Sequence, residues 1–167
     1  MNNVKKLTYT ALLTAWVILI PIYFKFLQIV IPPFSATLTA HVPIYLSMLL
    51  GPEAAIMVGL GSALGFLISL GPVVAARALM HVVVGFTGAM LIKKGISFGK
   101  VLIIVAPLHA VLEALVVLPF GFTLYKALVL VGVGTLIHHT LDSIIAIALV
   151  TALSKSLRYD LTKGLIK

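Results

Sequence analysis

Six apolar runs, separated by proline, glycine or lysine, divide the sequence along its whole length. A helix that crosses the hydrocarbon core of a bilayer needs roughly 20 apolar residues. We predict spans over residues 7–27, 36–50, 53–69, 73–92, 101–118 and 126–153. Hydrophobic residues make up 62% of the chain, above the about 45–50% of a soluble domain, and 167 residues enclose too little interior to hide them. The sequence predicts one all-α integral membrane domain over residues 1–167, with six transmembrane helices.

Basic residues lie between the apolar runs rather than in one patch, and the net charge is +8. With six spans, one membrane face receives Lys5, Lys6, Lys93, Lys94, Lys100, Lys155, Arg158, Lys163 and Lys167. The other face receives only Lys25 and Lys126. Because lysine and arginine concentrate in cytoplasmic loops, this asymmetry predicts that both termini are cytoplasmic. The basic stretches lack interleaved aromatic residues, which argues against nucleic-acid binding.

The first apolar run follows a short basic start and lacks a small-residue cleavage site, so we expect it to remain as the first helix. Cysteine is absent, which excludes disulfides, thiolate catalysis and cysteine-ligated metals.

Ionisable side chains inside the spans are costly and usually face a cavity or a partner. Three pairs spaced i,i+4 each share one helix face: Arg77 and His81, His109 and Glu113, His138 and Asp142. His41 lies on the second predicted span. By helical rise, His41, Arg77 and Glu113 occupy one layer of the outer half, His81 and His109 lie slightly deeper, and the helix-six pair is deeper still. We predict a ligand site in the outer layer.

Two interpretations of these charges stay open. Arg77 and Glu113 can form a buried salt bridge that locks the bundle, or Arg77 can anchor a ligand carboxylate, which its planar fork matches. We favour the anchor. His138 and Asp142 can have a purely structural role, in which they pair only with each other, or they can take part in the site. His139 points about 100° away from His138, and of the two we expect His138 to face the cavity. The histidines are dispersed along the chain without HxxxH or HExxH spacing, so we expect no metal site.

Aromatic and small residues add two further predictions. Phe34 and Ser35 in the first outer loop, and Phe122 in the third, would lie above the cavity, where rings can stack on a flat heterocycle. The other interpretation, which applies equally to Phe120 and Tyr125 of the third loop, is an interfacial aromatic belt. Ala11 and Ala15 have the small-xxx-small spacing that allows close helix packing, and we predict that they dock a partner membrane protein.

Several features together resemble the S components of energy-coupling factor (ECF) vitamin transporters, most of all the niacin-specific type. They are the alanine motif of the first helix, the long first outer loop, and residues 31–43 (IPPFSATLTAHVP), 61–67 (GSALGFL) and 77–81 (RALMH). The resemblance extends over essentially the whole chain. It implies a multi-pass protein of the bacterial cell membrane that captures a vitamin at the outer face. It also implies that Ala11 and Ala15 dock a transmembrane coupling subunit driven by two ATPase subunits.

The resemblance implies a binding subunit that is not an enzyme and has no cofactor of its own, because ATP is used by the partner subunits. The glycine-rich stretch 59–65 lacks the Lys-Ser/Thr of a phosphate-binding loop. Nicotinate would offer its carboxylate to Arg77, its pyridine nitrogen to a histidine donor or a protonated Glu113, and its ring to Phe34 or Phe122. The expected substrate-binding set is His41, Arg77, His81, His109, Glu113, Phe34, Ser35, Phe122 and His138.

Several alternatives remain. Nicotinamide, pyridoxine or another small vitamin could replace nicotinate, and the coupling module could be shared or dedicated. The His/Glu/Asp set could instead serve as a relay in a small proton-linked transporter or channel, although the inverted repeat of such transporters is missing. A membrane-embedded enzyme using His138 and Asp142 lacks any recognised catalytic motif.

Overall fold

The computed structural model describes residues 2–165. Met1, Ile166 and Lys167, whose charge was counted in the predicted membrane topology, lie outside the described residues. Its six α-helices are α1 (Asn3–Tyr23), α2 (Val42–Leu50), α3 (Pro52–Leu70), α4 (Pro72–Lys93), α5 (Phe98–Val116) and α6 (Gly134–Leu157). A π-helical segment, Lys126–Val133, runs directly into α6. Strands β1 (Gln28–Ile31) and β2 (Phe34–Thr37) form a hairpin between α1 and α2. Short 3-10 turns cover Lys25–Leu27, Leu118–Phe120 and Leu161–Lys163.

Five helical segments are long and apolar enough to cross a membrane: Asn3–Tyr23, Pro52–Leu70, Pro72–Lys93, Phe98–Phe120 and Lys126–Leu157. This agrees with the predicted class, an α-helical multi-pass membrane protein. The remaining helix, α2, has nine residues and is about 14 Å long, less than half of a hydrocarbon core of about 30 Å. Six spans and cytoplasmic termini stay predictions.

Glycine followed by proline separates α2 from α3 and α3 from α4. Gly51 and Gly71 have φ angles of 110° and 82°, which favour glycine because it has no Cβ. Pro52 and Pro72 follow at the first position of the next helix, where the missing N–H leaves no helical hydrogen bond unmade. These two dipeptides make the short connections that the sequence predicted.

Helices α1 and α3 run in the same direction. Lys6 Nζ lies 2.7 Å from Glu53 Oε2, which joins the starts of the two helices. Further along, a Cβ on Gly65 would lie 2.7 Å from the carbonyl oxygen of Ile18, so the two backbones touch. Close packing of the two helices at this point depends on the missing side chain of Gly65. The chain between α1 and α3 must therefore return across the bundle.

The returning segment differs from the sequence prediction. A loop over 26–35 and a helix from residue 36 were expected, but β1 and β2 pair from Gln28↔Thr37 to Ile31↔Phe34. The β-branched run Ile29-Val30-Ile31 favours a strand. Helix α2 starts only at Val42, because the preceding residues are held in a non-helical conformation by a carboxylate of α6, described below.

The two ends of the bundle differ in charge. At one end, which we call the basic end, Lys6, Lys93 and Gly164 line a common depression, and Leu165 N donates to Leu49 O across 2.9 Å. The opposite end carries the hairpin and is called the hairpin end. Helix α2 starts midway between the ends and packs against α1, α3, α4 and α6. Eight of its nine residues are buried, so it is enclosed by protein.

Candidate functional site

All five histidines of the chain converge in one buried cluster, although they come from three helices and the connection before α2. Ring centroids are 4.2 Å apart for His41 and His138, 4.9 Å for His41 and His81, and 5.1 Å for His81 and His109. His139 follows at 5.3 Å from His109. The five histidines are dispersed along the sequence but form a single site in the fold, which we call the histidine cluster.

Arg77 lies above this cluster and is 4% exposed. Its Nε and Nη2 donate to Glu113 Oε2 at 3.1 and 2.6 Å. Its remaining hydrogen bonds go to the hairpin: Nη1 donates to Pro33 O at 3.1 Å and Ser35 Oγ at 3.2 Å, and Nη2 donates to Ser35 O at 3.2 Å. The guanidinium carbon lies 5.5 Å from the centre of the Phe34 ring. One side chain of α4 thus holds both α5 and the hairpin.

Glu113 divides its two carboxylate oxygens between two groups of partners. Oε2 accepts from Arg77 and from Thr135 Oγ1 at 2.7 Å. Oε1 faces the histidine cluster, 3.2 Å from His109 Nε2 and 3.3 Å from His81 Nε2. The residue is 3% exposed, so it is a buried carboxylate that connects the arginine to two imidazole rings.

Asp142 of α6 holds the chain that precedes α2. Its Oδ1 accepts from Thr39 N at 2.8 Å and its Oδ2 from His41 N at 2.9 Å. His138 Nε2 donates to Thr37 O at 3.0 Å. Non-helical backbone at membrane depth must be satisfied by protein groups, because no water is present in the hydrocarbon core. The helix-six pair therefore has a structural role in addition to any contact with a ligand.

His138 and His139 point in different directions, as the sequence predicted. His138 lines the cavity beside Arg77. His139 Nε2 donates to Leu102 O of α5 at 2.9 Å, and its Nδ1 lies 2.7 Å from the Tyr45 hydroxyl.

The predicted site residues fall into three groups. Six of them line one cavity: Ser35, His41, Arg77, His81, Glu113 and His138. His109 lies one layer deeper and Phe34 packs on Arg77. Phe122 lies outside the cavity lining and belongs to an apolar cluster at the hairpin end with Phe34 and Val117. The cavity measures about 20 Å³, enough for one water molecule.

Four polar residues of the site escaped the sequence prediction: Thr135, Thr37, Tyr45 and Ser62. Thr135 lies three and seven residues before His138 and Asp142, a spacing that places all three on one helix face. Tyr45 follows His41 by one turn in the same way. Ser62 Oγ lies 2.9 Å from His81 Nδ1, a contact between α3 and α4 that no local spacing indicates.

Two sets of donor atoms could hold a metal ion: His41, His81, His109 and Glu113, and His41, His138 and Asp142. Within each set the atoms lie within 4.8 Å of one another. The sequence prediction of no metal rested on the dispersal of the histidines, and the fold removes that argument.

Ala11 lies on the half of α1 nearer the basic end and Ala15 just past the middle of the helix, and neither lines the cavity beside Arg77. Both are exposed in the isolated chain. Their neighbours Leu7 and Leu12 are exposed as well, at 71% and 62%.

The fold and the buried polar cavity define a multi-pass α-helical protein of the cell membrane. No family model and no solved structure matches the chain. The chain is 39% identical over 176 residues to the niacin transporter NiaX of Lactococcus lactis subsp. cremoris (strain MG1363), and the match covers 95% of this chain and 79% of that protein. The chain therefore belongs to the NiaX family of membrane transport proteins, which confirms the resemblance found in the sequence.

Proposed function

We propose that the chain is the substrate-binding S component of an ATP-driven ECF importer and that it binds nicotinate. The relationship to a niacin transporter supports the substrate. The glycine-rich stretch 59–65 lacks the lysine of a phosphate-binding loop, which supports energy supply by partner subunits. The chain captures its ligand and performs no catalysis.

The observation that carries the proposal is the division of the Arg77 hydrogen bonds. Its Nε and Nη2 edge is paired with Glu113, but its Nη1 donates only to Pro33 O and Ser35 Oγ of the hairpin. These neutral acceptors can be exchanged for a ligand carboxylate, which makes stronger, charge-assisted hydrogen bonds. Arg77 would then lie between the Glu113 carboxylate and the nicotinate carboxylate.

The pyridine nitrogen of nicotinate, which is meta to the carboxylate, needs a hydrogen-bond donor of its own. Glu113 is paired with Arg77 at 2.6 Å, which disfavours the protonated form that the sequence left open. His81 Nε2 and His41 Nδ1 are buried and make no well-aligned hydrogen bond among residues 2–165, although they lie 3.3 Å from Glu113 Oε1 and 3.2 Å from Asp142 Oδ2. Either ring can donate to the ligand, and Phe34 is the aromatic ring nearest to the anchor.

Entry of the ligand requires movement of the hairpin. The cavity of about 20 Å³ holds a water molecule but not a pyridine ring. Strand β1 is mostly exposed, and Pro33 and Ser35 are attached to the bundle through Arg77. Displacing the hairpin therefore opens the cavity and frees the Arg77 donors in the same step.

Calorimetry on detergent-purified protein tests the substrate. We expect nicotinate to bind and nicotinamide, which lacks the charge, to bind more weakly. Arg77→Gln should weaken nicotinate binding by about 2–5 kcal/mol, whereas Arg158→Gln, at the other arginine of the chain, should leave it unchanged. Arg77→Gln leaves Glu113 buried without its cation, which can destabilise the fold. The double variant Arg77→Gln with Glu113→Gln removes that unpaired charge, so its binding tests the role of Arg77 independently of folding.

The proposal fails if wild-type protein binds no nicotinate, or if the double variant binds it as tightly as wild type. Binding of pyridoxine instead of nicotinate would retain the S component and reject the substrate. Binding of neither, together with uptake that depends on a proton gradient, would favour the proton-linked alternative.

A path of hydrogen-bond contacts through the histidine cluster bears on the proton-linked alternative. Hydrogen-bond contacts connect Glu113 through His109 and His139 to Tyr45. Tyr45 is fully buried in α2. Within the described chain this path ends in the core and does not reach the basic end, which favours a binding site over a proton relay.

A further inference from the structure

We propose that His41, His81, His109 and Glu113 form a binding site for a divalent transition-metal ion of the zinc type. The four side chains are buried and come from the connection before α2, from α4 and from α5. This proposal assigns ring nitrogens of His41 and His81 to an ion rather than to the pyridine nitrogen of nicotinate, and it uses the oxygen of Glu113 that Arg77 does not hold.

The spacing of the donor atoms agrees with a tetrahedral ion. Glu113 Oε1 lies 3.2 Å from His109 Nε2 and 3.3 Å from His81 Nε2. Metal–ligand distances of about 2.0–2.1 Å to zinc place neighbouring ligands of a tetrahedron about 3.3 Å apart. A ring nitrogen of His41 completes the set, all of whose donor atoms lie within 4.8 Å of one another. Small side-chain rotations close the remaining gap.

The hydrogen bonds around His139 are compatible with an ion between His109 and Glu113. Leu102 O can only accept, so His139 Nε2, at 2.9 Å, carries a proton. In a neutral His139, the single lone pair of Nδ1 can accept from His109 Nδ1 at 3.0 Å or from the Tyr45 hydroxyl at 2.7 Å. When His109 is the donor to His139, its neutral form directs the lone pair of Nε2 at Glu113 Oε1, and the 3.2 Å contact between these two atoms is then not a hydrogen bond. Two electron-rich atoms at this distance repel unless a cation lies between them.

His81 points to the same position. Its Nε2 is buried 3.3 Å from Glu113 Oε1 and makes no hydrogen bond within the described chain. Its other nitrogen, Nδ1, is held by Ser62 Oγ at 2.9 Å, as His109 Nδ1 is held by His139. Metal-binding histidines are characteristically oriented through the second ring nitrogen in this way.

The donor set selects the kind of metal. Imidazole and carboxylate suit Zn²⁺, Co²⁺ and Ni²⁺, whereas Mg²⁺ and Ca²⁺ require mostly oxygen ligands. Glu113 Oε2 stays with Arg77 and Thr135, so an ion on Oε1 leaves that ion pair intact. The cavity beside Arg77 is lined by His41, His81 and Glu113 and therefore borders the proposed ion site.

The experiment uses full-length protein purified in detergent without a histidine tag and treated with a chelator. After dialysis against Zn²⁺, bound metal is counted by mass spectrometry. We expect about one ion per chain, and we expect His81→Gln or His109→Gln to weaken binding at least about tenfold, the lower limit seen when partners of metal ligands are removed. Glu53→Gln, an exposed glutamate at the basic end, is the matched control and should bind as wild type does.

Co²⁺ provides a readout that needs no variant. Wild-type protein loaded with Co²⁺ should show the intense visible absorption of a tetrahedral nitrogen and oxygen site. The proposal is overturned if the chelated protein takes up no Zn²⁺ or Co²⁺, or if both histidine variants retain full binding. Nicotinate calorimetry on metal-free protein reports separately on the proposed function.

Discussion

At the scale of single residues, the two buried carboxylates of the site perform different tasks. Glu113 connects side chains of different helices, namely Arg77, His81 and His109. Asp142 instead binds backbone, with one oxygen on Thr39 N and the other on His41 N. Because each Asp142 oxygen has its own N–H donor, replacing the carboxylate by a group with a single acceptor oxygen should lower the stability of the fold.

Asp142→Asn tests this assignment. The amide nitrogen would face one of the two backbone N–H groups, and a buried donor without an acceptor costs about 1–3 kcal/mol. We expect a lower melting temperature in detergent. Asp160→Asn, at an exposed carboxylate near the basic end, should change stability by less than about 0.5 kcal/mol. Equal effects of the two substitutions would contradict a structural role for Asp142.

The sequence identified most of the polar residues of the site but not their arrangement. The i,i+4 spacing placed Arg77 with His81 and His109 with Glu113, because helical periodicity is local. Which oxygen of Glu113 faces which partner depends on the packing of α4, α5 and α6, and no spacing along the chain encodes that packing. The expectation that the histidines are too dispersed for a metal site had the same weakness.

At the scale of secondary-structure elements, α3 and α4 were predicted closely, whereas α1 begins and ends four residues before the predicted span 7–27 and the prediction for the segment before α2 was wrong. Hydropathy and the Gly-Pro pairs define α3 and α4 within one or two residues. The hairpin and the late start of α2 depend on Arg77, His138 and Asp142, which are distant in sequence. Local propensity could indicate a strand at Ile29-Val30-Ile31, but its partner and its depth are tertiary properties.

The contact between α1 and α3 gives a prediction at this scale. A Cβ at Gly65 would lie 2.7 and 2.8 Å from backbone atoms of Ile18, so Gly65→Ala must separate the two helices and should cost about 1–3 kcal/mol. Gly99→Ala in α5 is the control, since its Cβ would meet only Ile147 at 3.8 Å. Thermal unfolding in detergent should show the loss at Gly65 alone; a similar loss at Gly99 would argue against the close contact.

At the scale of the whole molecule, the ligand site and the exposed alanine face of α1 are separate surfaces. Ala11→Leu with Ala15→Leu should therefore preserve nicotinate binding and abolish uptake in cells that contain the coupling subunits, because bulky side chains prevent close helix docking. Ala148→Leu, at an exposed position of α6, should leave both properties unchanged. Loss of binding in the α1 variant would argue against a docking role.

Orientation in the membrane can be measured because the chain contains no cysteine. A single cysteine at Lys94, on the basic end, should react with a membrane-impermeant maleimide only after cells are permeabilised. A single cysteine at Leu124, which is 59% exposed near the hairpin end, should react in intact cells. The reverse pattern would place the termini outside the cytoplasm.

The enclosed, nine-residue helix α2 has a consequence for biosynthesis. The insertion machinery selects spans by the hydropathy of the segment in contact with lipid, and residues 24–51 contain a hairpin, an irregular connection and a helix of about 14 Å. The groups that satisfy this backbone, Arg77, His138 and Asp142, are synthesised later than the backbone itself. The segment between α1 and α3 therefore cannot fold completely when it leaves the ribosome, and its folding is completed only after α6 has entered the bilayer.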